Sequence, residues 1–180
     1  MAHSTFEQNT VSTTPADQSA AHDKLWEMIR GIRFGMLTSS SADGELRSRP
    51  LTTQNRALDS DAQESLWFFV SRSSEVASDI ADEPLVNVAY ADTDNDRYVS
   101  VSGSARLVED VQRVEALWSV AAKAWFPGGP TDPDLQLVAV KIEGAEYWDV
   151  KTNKATQLLK MARAAVTGKP PHMGEHRKLS

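Results

Sequence analysis

The sequence predicts a mainly β protein with some α: about six strands in a mostly antiparallel sheet, closed into a small barrel, with helices around it. Three observations predict it. Strand-like segments come in pairs joined by short polar turns, which makes sequential strands antiparallel neighbours. The helical segments are scattered between those pairs instead of alternating with single strands, which argues against a doubly wound parallel sheet. A sheet of that size has two raw edges, and closure removes them.

Taken in order, Leu25, Met28, Ile29 and Ile32 recur at i, i+3, i+4 and i+7, one face of an amphipathic helix that ends near Gly31. Arg33–Ser39 reads as a strand, Ala42-Asp43-Gly44-Glu45 as a hairpin turn, and Leu46–Asn55 as its partner strand. A polar loop over Arg56–Glu64 leads to Ser65–Ser71, whose Trp67, Phe68, Phe69 and Val70 mark a buried strand. The Ser71–Ser74 cluster offers an N-cap to a short helix that Pro84 stops. Leu85–Ala91 and Arg97–Val108 are two further strands around an Asp92–Asp96 turn. Asp110 caps a helix carrying Val111, Val114, Leu117, Trp118 and Ala121, which Phe126-Pro127-Gly128-Gly129-Pro130 ends. Leu135–Val140 and Ile142–Val150 make one long strand or a bent pair, and Thr152 caps a last helix with Ala155, Leu158, Leu159, Ala162 and Val166 on one side.

Composition narrows the function classes. At 180 residues the chain suits one domain. We expect a disordered arm over residues 1–20, rich in Ser and Thr, a folded domain over 21–168, and a flexible tail over 169–180 after Lys169-Pro170-Pro171-His172. No apolar run approaches the roughly 18 residues of a membrane span, and the polar N-terminus has no signal-peptide pattern, so a cytoplasmic protein is expected. A net charge of −6 weighs against nucleic-acid binding. With no cysteine there is no disulfide, thiolate nucleophile or Cys-based metal site. The histidines, His3, His22, His172 and His176, all lie near the ends, so a Ser-His-Asp hydrolase or a His-bound zinc is not expected. If the protein is an enzyme, its chemistry belongs to a cofactor.

Within the second strand, Arg47 and Arg49 fall on one face and Leu46 and Ser48 on the other. Two adjacent guanidiniums match a shared phosphate or carboxylate; acidic partners on a solvated face are the equal alternative. Pro50 cannot donate to a central ladder and places the strand at an edge or bulge. Ser71-Arg72-Ser73-Ser74 opens a helix whose N-terminus favours an anion, although a serine there is more often only a cap. Trp125 and Trp148 are candidates for packing on a flat ligand, although for each taken singly a core position is the favoured reading.

Several segments together resemble the flavin-binding split-barrel superfamily of pyridoxamine 5′-phosphate oxidase-like proteins, most closely its bacterial general stress protein 26 branch. They are the opening helix and hairpin, Arg47-Ser48-Arg49-Pro50-Leu51, Leu66-Trp67-Phe68-Phe69-Val70 running into Ser74, Tyr98–Ala105, and Trp125-Phe126-Pro127-Gly128-Gly129 followed by Ala145-Glu146-Tyr147-Trp148-Asp149. The resemblance covers roughly residues 23–150. It implies a six-stranded antiparallel split β-barrel with peripheral helices, forming a homodimer with FMN, or FAD as the alternative, at the subunit interface. On that resemblance Arg47, Ser48, Arg49, Pro50 and Leu51 would line the flavin, and Phe69, Val70 and Ser71 would meet the ring edge through backbone groups. Ser74 would contact the phosphate. Trp148 and Trp125 would complete the pocket, the latter from the partner subunit.

One departure stands out. Relatives continue the third strand as Thr, three residues, Ser, any residue, Lys; here Val70, Ser74 and Val76 take those positions, with Glu75 between. The basic anchor is missing and a carboxylate is close by, so phosphate binding should be weaker than in relatives with the lysine, and Arg47, Arg49, Arg72 and the helix N-terminus are left to hold it. The resemblance implies a stress-response flavoprotein, either an oxidoreductase using NAD(P)H or a binding module that holds flavin without turnover. It does not imply a true pyridoxamine phosphate oxidase, which needs a second phosphate cluster.

Overall fold

The computed structural model describes residues 15–56, 64–149 and 175–179. Along the chain lie α1 (Pro15–Ile29), β1 (Phe34–Ser40), β2 (Leu46–Thr52), β3 (Ser65–Ser71), α2 (Glu75–Asp82), β4 (Leu85–Asp92), β5 (Arg97–Val108), α3 (Val111–Leu117), 3-10 turns at Ala122–Ala124 and Gly129–Thr131, β6 (Leu135–Asp149) and β7 (Glu175–Leu179). Every pairing is antiparallel. The main path runs β2-β1-β4-β5-β6-β3, with β7 on β6.

This sheet curls until its outermost strands meet at one point. Thr53, just past β2, bridges Phe68 of β3, and the Gln54 amide donates to the Trp67 carbonyl at 2.8 Å. Asn55 prolongs the junction with its side chain, accepting from the Trp67 amide at 3.1 Å and donating to the Ser65 carbonyl at 2.8 Å. Toward Arg47 on one side and Ser71 on the other, no strand pairing joins β2 to β3 among the described residues. The result is the expected six-stranded split barrel, open along a seam.

Alternation of side chains fills the inside. Leu37, Val88, Val99, Val101, Leu66, Phe68, Val138 and Val140 are buried in one core, which α1 closes with Leu25, Trp26, Met28 and Ile29, and α2 with Val76, Ala77 and Ile80. A second cluster lies on the opposite face of β3 and β6. There Phe69 and Leu137 pack against Val114, Leu117, Ala122 and Phe126. β3 is therefore covered on both faces, which explains why its run is apolar throughout instead of alternating.

Three expectations are corrected, and the one left open for the last long strand is resolved. The helix begins at Pro15, so residues 15–20 of the expected arm are helical; Pro at the first helical position and the alanines after it favour this start. Its buried face also includes Trp26, and Ile32 lies beyond its end. α3 stops at Leu117, where Trp118 turns extended and packs on Phe69, so the expected single helix through Ala121 is broken. β6 is one strand with a bulge: Ser102 faces Gly144 but Gly103 faces Ile142, leaving Glu143 as the extra residue. Within the expected flexible tail, Glu175–Leu179 pair as β7 with Ala145–Asp149. The expected helix after Thr152 lies outside the described residues. Among those residues no helix is long and apolar enough to cross a membrane.

Candidate functional site

β2 is an edge strand, as Pro50 requires, and its two faces differ. Ser48 and Pro50 point outward, while Leu51 packs against the core on the same side as Arg47 and Arg49. The arginines thus line the barrel's inner side along the seam, where α2 leaves β3. Opposite them lie Phe69, Val70 and Ser71, whose strand is laddered to β6 through Leu137, Gln136 and Leu135.

Arg49 is gripped from within. Its Nη1 donates to Ser39 Oγ at 3.1 Å and to Asp79 Oδ2 at 3.2 Å, and Ser39 itself donates to Asp79 at 2.8 Å. Asp79 is buried on the apolar face of α2, between Val76 and Ile80 in spacing, and Ser39 is buried on β1. The outer Nη2 of Arg49 donates to Glu75 Oε2 at 3.1 Å. The same oxygen lies 3.7 Å from Arg47 Nη1. Arg47 also meets Asp43 at 3.1 Å and Glu45 at 3.4 Å, and its side-chain bond to Glu45 pushes its pKa up. Ser41 donates to Asp43, and that bond, with the Glu45 amide, holds the Asp43 carboxyl below its ordinary value.

Both sequence readings of the arginine pair are therefore visible in the same atoms. The guanidiniums do converge on one anion position, and the chain's own Glu75 occupies it. An anion-bearing ligand fits the donors, but it has to take that carboxylate's place. Asp79 was missed in the sequence reading; the available signal was a carboxylate in the apolar stripe of an eight-residue helix, which demands a buried cation.

The serines divide. Ser74 caps α2, accepting from the Ala77 amide at 3.4 Å and donating to the Ser71 carbonyl at 2.6 Å, so it adjoins the Glu75 position while already serving the helix. Ser71 turns the other way and donates to Asp134 at 2.9 Å. Arg72 does not join the pair: it makes a two-pronged bond to Glu109 at 2.7 and 3.2 Å and donates to the carbonyls of Pro133 and Leu135. Its bond to Glu109 raises the arginine's pKa and lowers the carboxyl's. Phe69 turns its ring into the second cluster, leaving its backbone at the seam. The two tryptophans lie apart from the arginines. Trp125 is 80% exposed on the connector after α3, and Trp148 is on the outer side of β6 opposite Tyr98, beyond the stretch that β3 pairs.

Fold and site together define a split-barrel protein with a cation pair at its seam. The chain belongs to the family described as "Pyridoxamine 5′-phosphate oxidase like", whose model matches residues 20–172. It is similar to the protein bli-3 of Neurospora crassa, 27% identical over 184 residues that span 96% of this chain and 84% of that one. Among solved structures it is similar to the general stress FMN/FAD binding protein of Xanthomonas citri, with 28% identity, a TM-score of 0.64, and 75% and 92% of the two chains covered. It also resembles general stress protein 26 of Bacillus anthracis, at 24% identity and a TM-score of 0.61, over 71% and 92% of the chains. The likeness is thus not confined to bacterial proteins.

Proposed function

We propose that the protein is a flavin-binding member of the stress-protein branch, holding FMN, or FAD, noncovalently between two copies of this chain. The observation that carries this reading is the convergence of Arg47 and Arg49 on one anion position at the seam. The 28% identical neighbour described as FMN/FAD binding supports it. In this reading Arg47, Arg49 and Ser74 hold the phosphate end, and Ser48, Pro50 and Leu51 line the approach. The backbone of Phe69, Val70 and Ser71 runs along the ring edge, and Trp148 and the partner's exposed Trp125 cover the ring. Phe34, Met36, Tyr98 and Trp148, all more than a third exposed, supply the apolar outer face for the second copy.

A bound flavin would supply two-electron chemistry, with NAD(P)H as reductant, in the cytoplasm. The chain's part is binding, orientation and exclusion of water. A second reading, storage without turnover, is favoured by one observation: the acids that reach the arginines, Asp43, Glu45, Glu75 and Asp79, are all in ion pairs with them.

Titrating the protein into FMN and into FAD, with flavin fluorescence and apparent mass followed on one sample, tests the reading. Saturable quenching at one flavin per subunit of a dimer is expected. No quenching up to high micromolar protein overturns it. NADH and NADPH oxidation with the bound flavin then separates the oxidoreductase from the store.

A further inference from the structure

Of the four carboxylates that reach Arg47 and Arg49, Asp79 alone is buried: its side chain is 7% exposed, against 74% for Glu75. It stands in the apolar stripe of α2, with Val76, Ala77 and Ile80, where an apolar side chain would complete the packing. A buried ion pair returns little net stability, because desolvation offsets the attraction. What the Asp79 carboxylate does supply is geometry. Its Oδ2 accepts from Arg49 Nη1 at 3.2 Å and from Ser39 Oγ at 2.8 Å, and Ser39 Oγ in turn accepts from Nη1 at 3.1 Å. Arg49 on β2, Ser39 on β1 and Asp79 on α2 thus close a ring of hydrogen bonds with each corner on a different element. The ring takes up the inner nitrogen of the guanidinium and leaves Nη2 facing the shared anion position, where Glu75 accepts at 3.1 Å. Arg47 is backed differently: apart from Glu75, its acidic partners among the described residues are Asp43 and Glu45, both more than half exposed.

We propose that Asp79, with Ser39, is a positioning residue for the anion site: it fixes Arg49 before any ligand arrives, so that an incoming phosphate meets a guanidinium edge already in place. A long, flexible side chain loses rotamer freedom when it grips a ligand, and one ordered during folding does not lose that freedom again on binding. This assignment rests on the flavin reading above and gives Asp79 no contact with the flavin. It also fixes a sign. As a charge alone, Asp79 repels a phosphate, and its removal would tighten anion binding. As the backing for Arg49, its removal weakens anion binding unless another acceptor for Nη1 takes its place.

The experiment measures dissociation constants of FMN, and of riboflavin, which lacks the phosphate, for the full chain and for Asp79→Asn, Asp79→Ala and Ser39→Ala, below the melting temperature of each. The unaltered chain should prefer FMN by about tenfold, the low end for a hydrogen bond to a charged group. Asp79→Ala should cut that preference to about threefold or less, while riboflavin changes by less than about twofold. Asp79→Asn, whose amide oxygen still accepts from Nη1, should keep a preference of about tenfold although it carries no charge. Ser39→Ala leaves the carboxylate and removes one acceptor of Nη1, and should lower the preference about twofold to threefold. Where Asp79→Ala does not fold, Ser39→Ala decides, and an unchanged preference in it overturns the proposal. The proposal is also overturned if Asp79→Ala and Asp79→Asn raise the preference for FMN together, which is the charge effect, or if the preference stays the same because FMN and riboflavin weaken in parallel or not at all. It fails too if the unaltered chain binds FMN no more tightly than riboflavin; the flavin reading then stands. If the unaltered chain binds neither flavin, that reading fails and this inference with it.

Discussion

The Asp79 carboxylate lies 3.2 Å from the Arg49 guanidinium and is almost wholly buried, whereas the arginine keeps a solvent-facing edge. Removing one partner of a fully buried pair costs 3–5 kcal/mol because the other is stranded. Here Arg49 retains water and Glu75, so Asp79→Asn should cost less, about 2 kcal/mol. Glu75→Gln, at an exposed position, should stay within about 0.5 kcal/mol. Thermal melts of the two variants check this; equal melting temperatures would mean that Asp79 does not anchor the seam.

Gly103 is where β5 meets the β6 bulge. A Cβ placed there would lie 1.9 Å from the Lys141 carbonyl oxygen, which is backbone and cannot step aside. Gly103→Ala should therefore destabilise by about 3 kcal/mol or more, while Gly31→Ala, with nothing within 4 Å, should be close to neutral. Denaturant unfolding of the pair reads the difference. A near-neutral Gly103→Ala would show that the bulge relaxes at little cost.

Local chemistry made much of this fold legible. Ser65–Ser71 is apolar between polar flanks and pairs over that same span, and Ser74 and Pro84 bound α2 as a cap and a stop should. The misses share a cause, which is that a distant partner decides them. The β6 bulge depends on Gly103 across the sheet. β7 is a five-residue stretch with no apolar alternation, paired because β6 runs on past the end of β3 and leaves an edge there. In the site, the arginines' shared face was readable from period two. That Glu75 and Asp79, one turn apart on α2, would both close on Arg49 was not, because it needs the curl that brings α2 over β2.

Asp134 accepts from the Ser71 hydroxyl at 2.9 Å and from the Ser73 amide and hydroxyl at 3.4 Å, and the Ser71 bond first of all holds its carboxyl below the ordinary value. A folded-state pKa that is lowered contributes stability above the unfolded value, about 3.9 for Asp, and that contribution is lost as the pH falls through the folded one. Asp134→Asn should thus lower the urea midpoint at pH 7, and its gap from the unaltered chain should narrow steadily below about pH 4. A gap that stays constant from pH 7 to pH 3 would assign the loss to packing or geometry and not to the charge.

Phe69 and Trp125 separate folding from binding along one connector. The Phe69 ring sits 5.9 Å from Trp118 and 6.5 Å, edge-on, from Phe126, and holds the segment after α3 against the barrel. Phe69→Ala should cost about 3–5 kcal/mol, as other buried Phe truncations do. Trp125 lies one residue before Phe126 yet is 80% exposed, so Trp125→Ala should leave the melting temperature almost unchanged. If the partner's Trp125 covers the flavin ring, that same variant should weaken flavin binding roughly threefold to tenfold, the range of an aromatic contact. Normal melting with weakened binding gives Trp125 a ligand role across the interface. Normal melting with unchanged binding removes it from the site, and a lowered melting temperature would show that its exposure in one chain misstates its packing in the assembly.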